Sequence, residues 1–325
     1  MKKVIFAVFA LSVLFMGCSQ NIAGRSNSKA IIAQGEEPAD VAGWEADVDA
    51  DFKAVMEALG TAKQKAAISE FDAKYGTDIS SEVFGLTDGA RASSKSSGNY
   101  PALTDMPFAV DGAVYLSGGT SDLVGTVIDW VSPKTFPGSY YHGAVLDLDK
   151  YDPNNEDNYC LETAVTKGAG YESATEWRNK VNARVLYPNS SLNKSKLDAA
   201  QAYMDYYCDM NNKNMEYGFF KNTVDIFNVV TKEDLYTWYC TKVVWHVYNK
   251  YGIDIDSNSD QIDFTTSGLY SIVKAYYSVK YFYSSSKKNK AINDYMASAK
   301  KNIVLAEEIL CSPYLHSVYE RIREN

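Results

Sequence analysis

The feature that most limits how this 325-residue chain can fold is a change in composition near residue 100. The chain contains 25 tyrosines, and only Tyr75 precedes residue 100. A serine-rich segment at residues 93–98 lies at the same point and is typical of a flexible linker. The sequence therefore predicts two structural units, at residues 36–88 and 101–325, joined by a linker at 89–100.

The first unit is predicted to be an acidic helical hairpin. Residues 36–60 include eight acidic side chains and a single basic one, Lys53. Apolar residues recur there mostly at steps of three or four, which predicts an amphipathic helix ending near Gly60. A second helix is predicted from about residue 61 to Tyr75. The acidic residues show no metal-binding spacing, so we interpret them as a solvated helix face.

The N-terminus has the pattern of an export signal. Two lysines precede an apolar run at residues 4–17, which is too short to span a bilayer, because a spanning helix needs about 20 apolar residues. A basic start and a short apolar run are typical of a secretory signal peptide. The run ends in Phe15-Met16-Gly17-Cys18, which resembles a bacterial lipobox. The resemblance implies that Cys18 is diacylated and becomes the mature N-terminus.

This interpretation predicts a signal peptide at 1–17 and a polar tether at 18–35. The protein would then be a lipoprotein of the cell envelope, held to the lipid bilayer through acylated Cys18. Ser19 follows the cysteine where Asp would signal retention at the inner membrane, so the outer membrane is favoured. The alternative is a plain signal peptide in which Cys18 is incidental.

The overall composition excludes two classes of protein. A hydrophobic content of 46% and a charged content of 22% are those of a globular chain and exclude wholesale disorder. The chain has 41 acidic and 32 basic residues and a net charge of -9, which argues against binding to nucleic acid. The sequence shows no phosphate-binding loop and no metal-ligand spacing, so we expect neither a cofactor nor a metal.

The second unit is predicted to have an α+β fold. Strands are predicted in the middle of this unit, with helices beside them and a further helical insertion at about 263–303. The predicted strands are residues 113–116, 143–148, 159–165 and 181–187. Helices are predicted at 123–131, where apolar residues recur at helical spacing, and at about 195–210 and 239–251.

Four cysteines remain once Cys18 is assigned to lipid: Cys160, Cys208, Cys240 and Cys311. In an exported protein an even number favours two disulfides. Cys208, however, lies on the apolar face of a predicted helix, which favours a buried thiol. The sequence leaves the pairing open.

Cys240 and His142 are the candidate chemical residues. Cys240 opens a predicted helix, where the helix dipole and unpaired amides lower the pKa of a thiol. His142 begins a predicted strand, and an imidazole can activate a thiol if a third group orients it. Glu162 lies on the next predicted strand and could be that group. His246 lies more than one helical turn beyond Cys240 and is predicted to be structural. His316, in a predicted late helix, has no partner pattern.

The order of these residues, His then Glu then Cys, is the reverse of that in papain. The chain resembles the circularly permuted papain-like cysteine hydrolases of the YiiX type, within the wider NlpC superfamily. The resemblance covers about residues 108–255 and a closing tail. The segments that carry it are residues 111–117, 141–145, 161–164, 217–219, 238–244 and 309–315.

The resemblance implies a small antiparallel sheet packed against helices, with Cys240 as nucleophile, His142 as base and Glu162 as its orienting carboxylate. The oxyanion would be bound by the backbone amide of Cys240 and one more group. Candidates for the oxyanion site or the pocket wall are Tyr115, Tyr217 and Tyr239. The implied substrate is an amide, ester or thioester of a cell-wall peptide or a lipid-like acyl group.

Several positions depart from the family pattern and leave the substrate open. Asp111 and Gly112 are inverted relative to the family's Gly-Asp, and Tyr141, Thr241 and Lys242 replace its Ser, Ser and Glu. The alternative function is a non-catalytic lipoprotein whose papain-like domain binds a cell-wall peptide or a protein partner.

Overall fold

The computed structural model describes residues 28–58, 63–80, 100–119, 131–165, 168–209, 215–219 and 229–323. Outside these ranges lie the predicted signal peptide, Cys18, most of the linker and nearly all of the predicted helix at 123–131. No helix in the described ranges combines the length and the apolar character that crossing a membrane requires.

The C-terminal unit is built on a six-stranded antiparallel sheet, which confirms the α+β class. Its strands are β1 (Val114–Gly118), β2 (Tyr140–Leu146), β3 (Tyr159–Val165), β4 (Gly168–Ser173), β5 (Asn182–Pro188) and β8 (Leu315–Arg321). They lie side by side in the order β4-β3-β2-β1-β5-β8. Two short parallel strands, β6 (Glu216–Tyr217) and β7 (Thr237–Trp238), pair separately.

The helices precede and follow these strands. They are α1 (Ser28–Gln34), α2 (Val41–Ala58), α3 (Gln64–Tyr75), α4 (Ala174–Arg178), α5 (Lys194–Asp209), α6 (Cys240–Tyr251), α7 (Gly268–Lys280), α8 (Ser285–Asn302) and α9 (Ala306–Leu310). The predicted helix around His316 is wrong, because that segment forms β8 and pairs along the length of β5. The predicted insertion at 263–303 contains helices α7 and α8.

Successive strand residues point to opposite sides of the sheet, and in the central strands β1 and β2 both sides are buried. On one side Val114, Val145 and Leu186 join the core that includes Val243 and Val244 of α6. On the other side a second core surrounds the fully buried Trp177 of α4. Helix α6 thus lies against one face, and its first residue reaches the sheet near the start of β2.

The acidic hairpin of α2 and α3 is docked on the insertion helices. Phe52 of α2 lies with its ring centre 4.6 Å from that of Tyr276, and the Trp44 indole N–H donates to the carbonyl of Val279 at 3.2 Å. Asp49 accepts hydrogen bonds from Tyr276 at 2.5 Å and from Lys280 at 2.7 Å. Part of the acidic face predicted to be solvated therefore pairs with the insertion.

This contact leads to a prediction about stability. We expect Phe52→Ala to lower the free energy of unfolding by about 3–5 kcal/mol, because it opens a cavity in a buried aromatic cluster. Lys53→Ala is the matched control, since the Lys53 side chain is 77% exposed one position away. Urea unfolding of both variants measures the difference. Equal effects would mean that the hairpin does not stabilise the rest of the chain.

Candidate active site

Cys240 is the first residue of helix α6, and its sulfur lies at the helix N-terminus. Tyr239 precedes it in an extended conformation, and Gly252, with φ of 107°, ends the helix. The first amides of a helix have no intrahelical acceptor. The amide of Thr241, which is one of these, and the amide of Gly143 in β2 both lower the pKa of the Cys240 thiol. The carbonyl of Tyr141 lies 3.6 Å from the sulfur, and the residue is fully buried.

Gly143 allows this approach of the helix to the sheet. A Cβ at this position would lie 3.1 Å from Cγ2 of Thr241, so a larger residue would crowd the helix start. The carbonyl of Gly143 accepts a hydrogen bond from the Thr163 hydroxyl at 2.7 Å. In the ladder between β2 and β3 only Val145 and Leu146 have partners. The amide of Gly143 is therefore available to the Cys240 sulfur.

His142 connects the thiol to a carboxylate. Its side chain lies close enough to Cys240 for each group to shift the pKa of the other. Its Nε2 lies 2.8 Å from Oε2 of Glu172 on β4, which leaves Nδ1 as the ring nitrogen for the sulfur. The ring stacks on Trp177 with centres 5.4 Å apart and an interplanar angle of 14°. Lys180 donates to the other oxygen of Glu172 at 3.1 Å. The imidazole is thus held on two sides.

The charges in this cluster favour a thiolate and an imidazolium. Burial opposes the charge on His142, but Glu172 and Cys240 outweigh it and raise the pKa of His142 to about 9. Burial likewise opposes ionisation of Cys240, but His142 and the two backbone amides lower the pKa of its thiol. Burial also opposes the charge on Glu172, but His142 and Lys180 hold the pKa of that carboxyl well below its usual range. Such a pair is the activated form of a cysteine nucleophile.

Glu162, the predicted orienting carboxylate, does not face His142. In the sheet Val145 lies opposite Glu162, and Leu146 lies opposite Leu161, which in turn lies opposite Glu172. Directly opposed residues share a face, and His142 is four residues from Leu146 and shares its face. Glu172 is therefore on the face of His142, and Glu162 is on the other. The prediction that Glu162 orients His142 is wrong, because the neighbouring residue Leu161 is the one on the face of His142, and Glu162 points to the opposite side of the sheet.

The predicted tyrosines occupy different places. The Tyr115 hydroxyl donates to the carbonyl of Pro107 at 2.5 Å, within the second core. The Tyr239 hydroxyl accepts from the amide of Val304 at 3.0 Å. Both side chains are fully buried, and their hydroxyls are bound to these backbone groups. Tyr217 is half-buried on β6, paired with Trp238 two residues before Cys240, and stays a candidate for the pocket wall.

The comparisons with known proteins are sparse. No protein-family model matches the chain, and no curated protein matches it. A solved structure described as the metalloprotein YiiX from Escherichia coli O157:H7 is similar, with a TM-score of 0.42 and 16% sequence identity. The similarity covers 66% of this chain and 98% of that one.

The two other histidines lie away from Cys240. His246 is buried between Trp238 and Trp245, with Nε2 2.9 Å from the carbonyl of Lys232. Burial and the nearby charge of Lys242 lower the pKa of His246 to about 4. His316 is exposed on β8, with Nδ1 2.9 Å from the Asn189 side chain.

The cysteines are not paired. Cys160, Cys208, Cys240 and Cys311 are all free, so the two expected disulfides do not form among the described residues. Their settings explain this: Cys160 is buried in the second core, and Cys208 donates to the carbonyl of Gly170 at 3.3 Å. Burial raises the pKa of the Cys208 and Cys311 thiols, in contrast to that of Cys240.

Sequence reasoning missed Glu172, Trp177 and Lys180. A signal was present: Ser173 and Glu176 have capping-box spacing, and the structure shows both reciprocal bonds at the start of α4. That motif would have placed a helix start at residue 174 and a strand end at Ser173. It would have identified β4, but not its register against β3.

Proposed function

We propose that the protein is a cysteine hydrolase in which Cys240, His142 and Glu172 form the catalytic triad. The observation that carries the proposal is the position of the Cys240 sulfur at a helix N-terminus, beside an imidazole that lowers the pKa of its thiol and whose Nε2 lies 2.8 Å from Glu172. A nucleophile, a base and a group that orients the base are the three parts that covalent acyl transfer requires.

In the first half-reaction the Cys240 thiolate attacks the carbonyl carbon of an amide, ester or thioester. The C–S bond forms, and the bond to the leaving group breaks as the His142 imidazolium gives it a proton. The product is a thioester on Cys240. In the second half-reaction His142 takes a proton from water, the resulting hydroxide attacks the thioester, and the acid is released. Glu172 stays ionised and keeps the imidazole oriented.

The oxyanion of each intermediate would be stabilised by the backbone amide of Cys240. This amide belongs to the first turn of α6, where amides have no intrahelical acceptor and the helix dipole favours negative charge. A second donor has to come from another group, and half-buried Tyr217 remains a candidate for lining that region.

We further propose that the domain is a permuted papain-like hydrolase of the YiiX type, anchored in the envelope through lipid on Cys18. Its substrate would be a cell-wall peptide or a lipid-like acyl group. The chain order His142, Glu172, Cys240 supports the permuted arrangement, with Glu172 in place of Glu162. Mass spectrometry of the membrane fraction tests the anchor. An unmodified Cys18 on a soluble product would overturn it.

Thiol labelling with internal controls tests the hydrolase proposal. We expect iodoacetamide at pH 7 to alkylate Cys240 faster than Cys208 and Cys311, although these two are less buried. The reason is that alkylation needs the thiolate, and only the pKa of Cys240 is lowered among the three. Peptide mass spectrometry over a time course gives the three rates. Slower labelling of Cys240 than of both others would contradict an activated nucleophile.

The complete burial of Cys240 favours a second candidate, a non-catalytic domain that binds a cell-wall peptide or a protein partner. A substrate carbonyl can reach the sulfur only if neighbouring side chains move aside. The hydrolase and the binding domain can be told apart by whether an acyl thioester forms on Cys240. A hydrolase forms a thioester on Cys240 when mixed with an activated acyl ester, whereas a binding domain does not. Intact mass after acid quench detects the added acyl group.

A further inference from the structure

A second cluster of polar side chains lies on the opposite face of the sheet from His142. It brings together Asp147, just after β2, Glu162 of β3 and Asp205 of α5. One carboxylate oxygen from each lies within 4.8 Å of the others. The three residues come from three separate elements, and tertiary packing alone makes them neighbours.

Glu162 is the unusual member of this cluster. It is fully buried, and neither of its carboxylate oxygens accepts a hydrogen bond from an N–H or O–H donor. The nearest positive group, the ammonium of Lys150, lies 3.9 Å away. Buried carboxylates are normally hydrogen-bonded or bound to a metal, because desolvation of an unpaired charge is costly. The side chain thus lacks the partner that its position requires.

The ammonium of Lys150 partly neutralises the negative charge of the three carboxylates. It lies 2.9 Å from Asp147 and also contacts Asp205. One ammonium therefore faces three carboxylates. The side chains of Lys150 and Asp205 are 31% and 26% exposed, so the cluster is open to solvent on their side. A lysine with that exposure and a long flexible stem can move out and leave the carboxylates to another cation.

We propose that Asp147, Glu162 and Asp205 bind a hard divalent cation such as Ca²⁺, which displaces the ammonium of Lys150. Carboxylate oxygens are the ligands that such ions prefer. Ca²⁺ accepts six to eight oxygen ligands in a flexible geometry, whereas Mg²⁺ demands a near-ideal octahedron and gives up its waters reluctantly. A site with three protein carboxylates therefore favours Ca²⁺ over Mg²⁺.

The surroundings of the cluster suit a bound cation. The Tyr171 hydroxyl donates to Asp205 at 2.7 Å and to Asp209 at 3.0 Å, which orients the Asp205 carboxylate. The second oxygen of Asp147 accepts from the amide of Asp149 at 3.1 Å. Groups that orient ligand carboxylates in this way are typical around metal sites. The ion would tie α5 to the end of β2 and the middle of β3.

The test is calorimetric titration of the full-length chain, freed of metal with a chelator, with CaCl₂ and separately with MgCl₂. We expect one Ca²⁺ per chain, bound more tightly than Mg²⁺. Glu162→Gln should weaken Ca²⁺ binding at least about 10-fold by removing a ligand charge. Lys150→Met should tighten it by about 10-fold or more, because a competing charge is gone. Asp198→Asn is the control, on the same helix as Asp205 but paired with Lys194 instead, and should change the affinity less than about twofold.

The variants make the proposal falsifiable even if one of them folds poorly. Thermal unfolding in chelator shows whether Glu162→Gln is folded, and Lys150→Met tests the same site in the opposite direction. Absence of Ca²⁺ binding in both the wild-type chain and Lys150→Met would overturn the proposal. Binding that is equal in all variants would place the ion elsewhere and overturn it as well. Tighter binding of Mg²⁺ than of Ca²⁺ would overturn the assignment of Ca²⁺ as the preferred ion.

Discussion

Replacing Cys240 by Ala is expected to reduce hydrolysis of an activated acyl ester by at least about 10⁴-fold, the range lost when a catalytic triad loses its nucleophile. Alanine removes the sulfur that forms the acyl intermediate and is a strong helix former, so we expect the start of α6 to be kept. The measurement is kcat/KM on a panel of p-nitrophenyl esters with acyl chains of different lengths. The same panel reports which acyl size the site accepts.

The matched control is Cys311→Ala. Cys311 is a free thiol at the end of α9, and burial raises its pKa, so it is a poor nucleophile. Its replacement should leave kcat/KM within about twofold, as for a change away from the site. Loss of activity in Cys311→Ala but not in Cys240→Ala would contradict the assignment of the nucleophile. Turnover that is absent from the wild-type chain would favour the binding domain.

Replacing Glu172 by Gln is expected to narrow the pH range of activity and to lower kcat/KM by about 10²-fold or more. The active form needs the Cys240 thiolate and the His142 imidazolium together. Activity should therefore fall on the alkaline side near pH 9, where His142 loses its proton. Without the Glu172 charge the pKa of His142 falls, so the alkaline limit moves to lower pH. A less cationic His142 stabilises the thiolate less, so the acidic limit moves up.

The pH dependence of kcat/KM and of iodoacetamide labelling measures both limits. Glu162→Gln separates the two carboxylates. The acidic and alkaline limits of activity of the Glu162→Gln variant should equal those of the wild-type chain, whatever the effect of this change on stability, because Glu162 lies on the other face of the sheet. If Glu162→Gln moved the limits and Glu172→Gln did not, the assignment of the orienting carboxylate would be wrong.

Local pattern was sufficient to predict the elements that carry Cys240 and His142. The α6 helix was predictable because Val243, Val244 and Val247 form an apolar stripe and Gly252 ends it. The predicted start of this helix, at about residue 239, lies within one residue of the observed start at Cys240. The position of the thiol at a helix N-terminus was therefore predictable as well. Strand β3 was predicted with the bounds that the structure has, Tyr159–Val165, since its apolar run lies between polar segments. These properties depend on a few neighbouring residues, which a sequence displays directly.

The choice between Glu162 and Glu172 depended on tertiary structure. Alternation within a strand indicates which residues share a face, but only the register between strands decides which face of one strand continues that of the next. Strand β4, which contains two glycines, had no pattern strong enough to predict it or its register against β3. The same register turns Glu162 away from His142 and towards Asp147 and Asp205. The sequence by itself determined the helix that begins at Cys240 and the strand that carries His142, whereas strand pairing decided which carboxylate lies beside the imidazole and which lies in the acidic cluster.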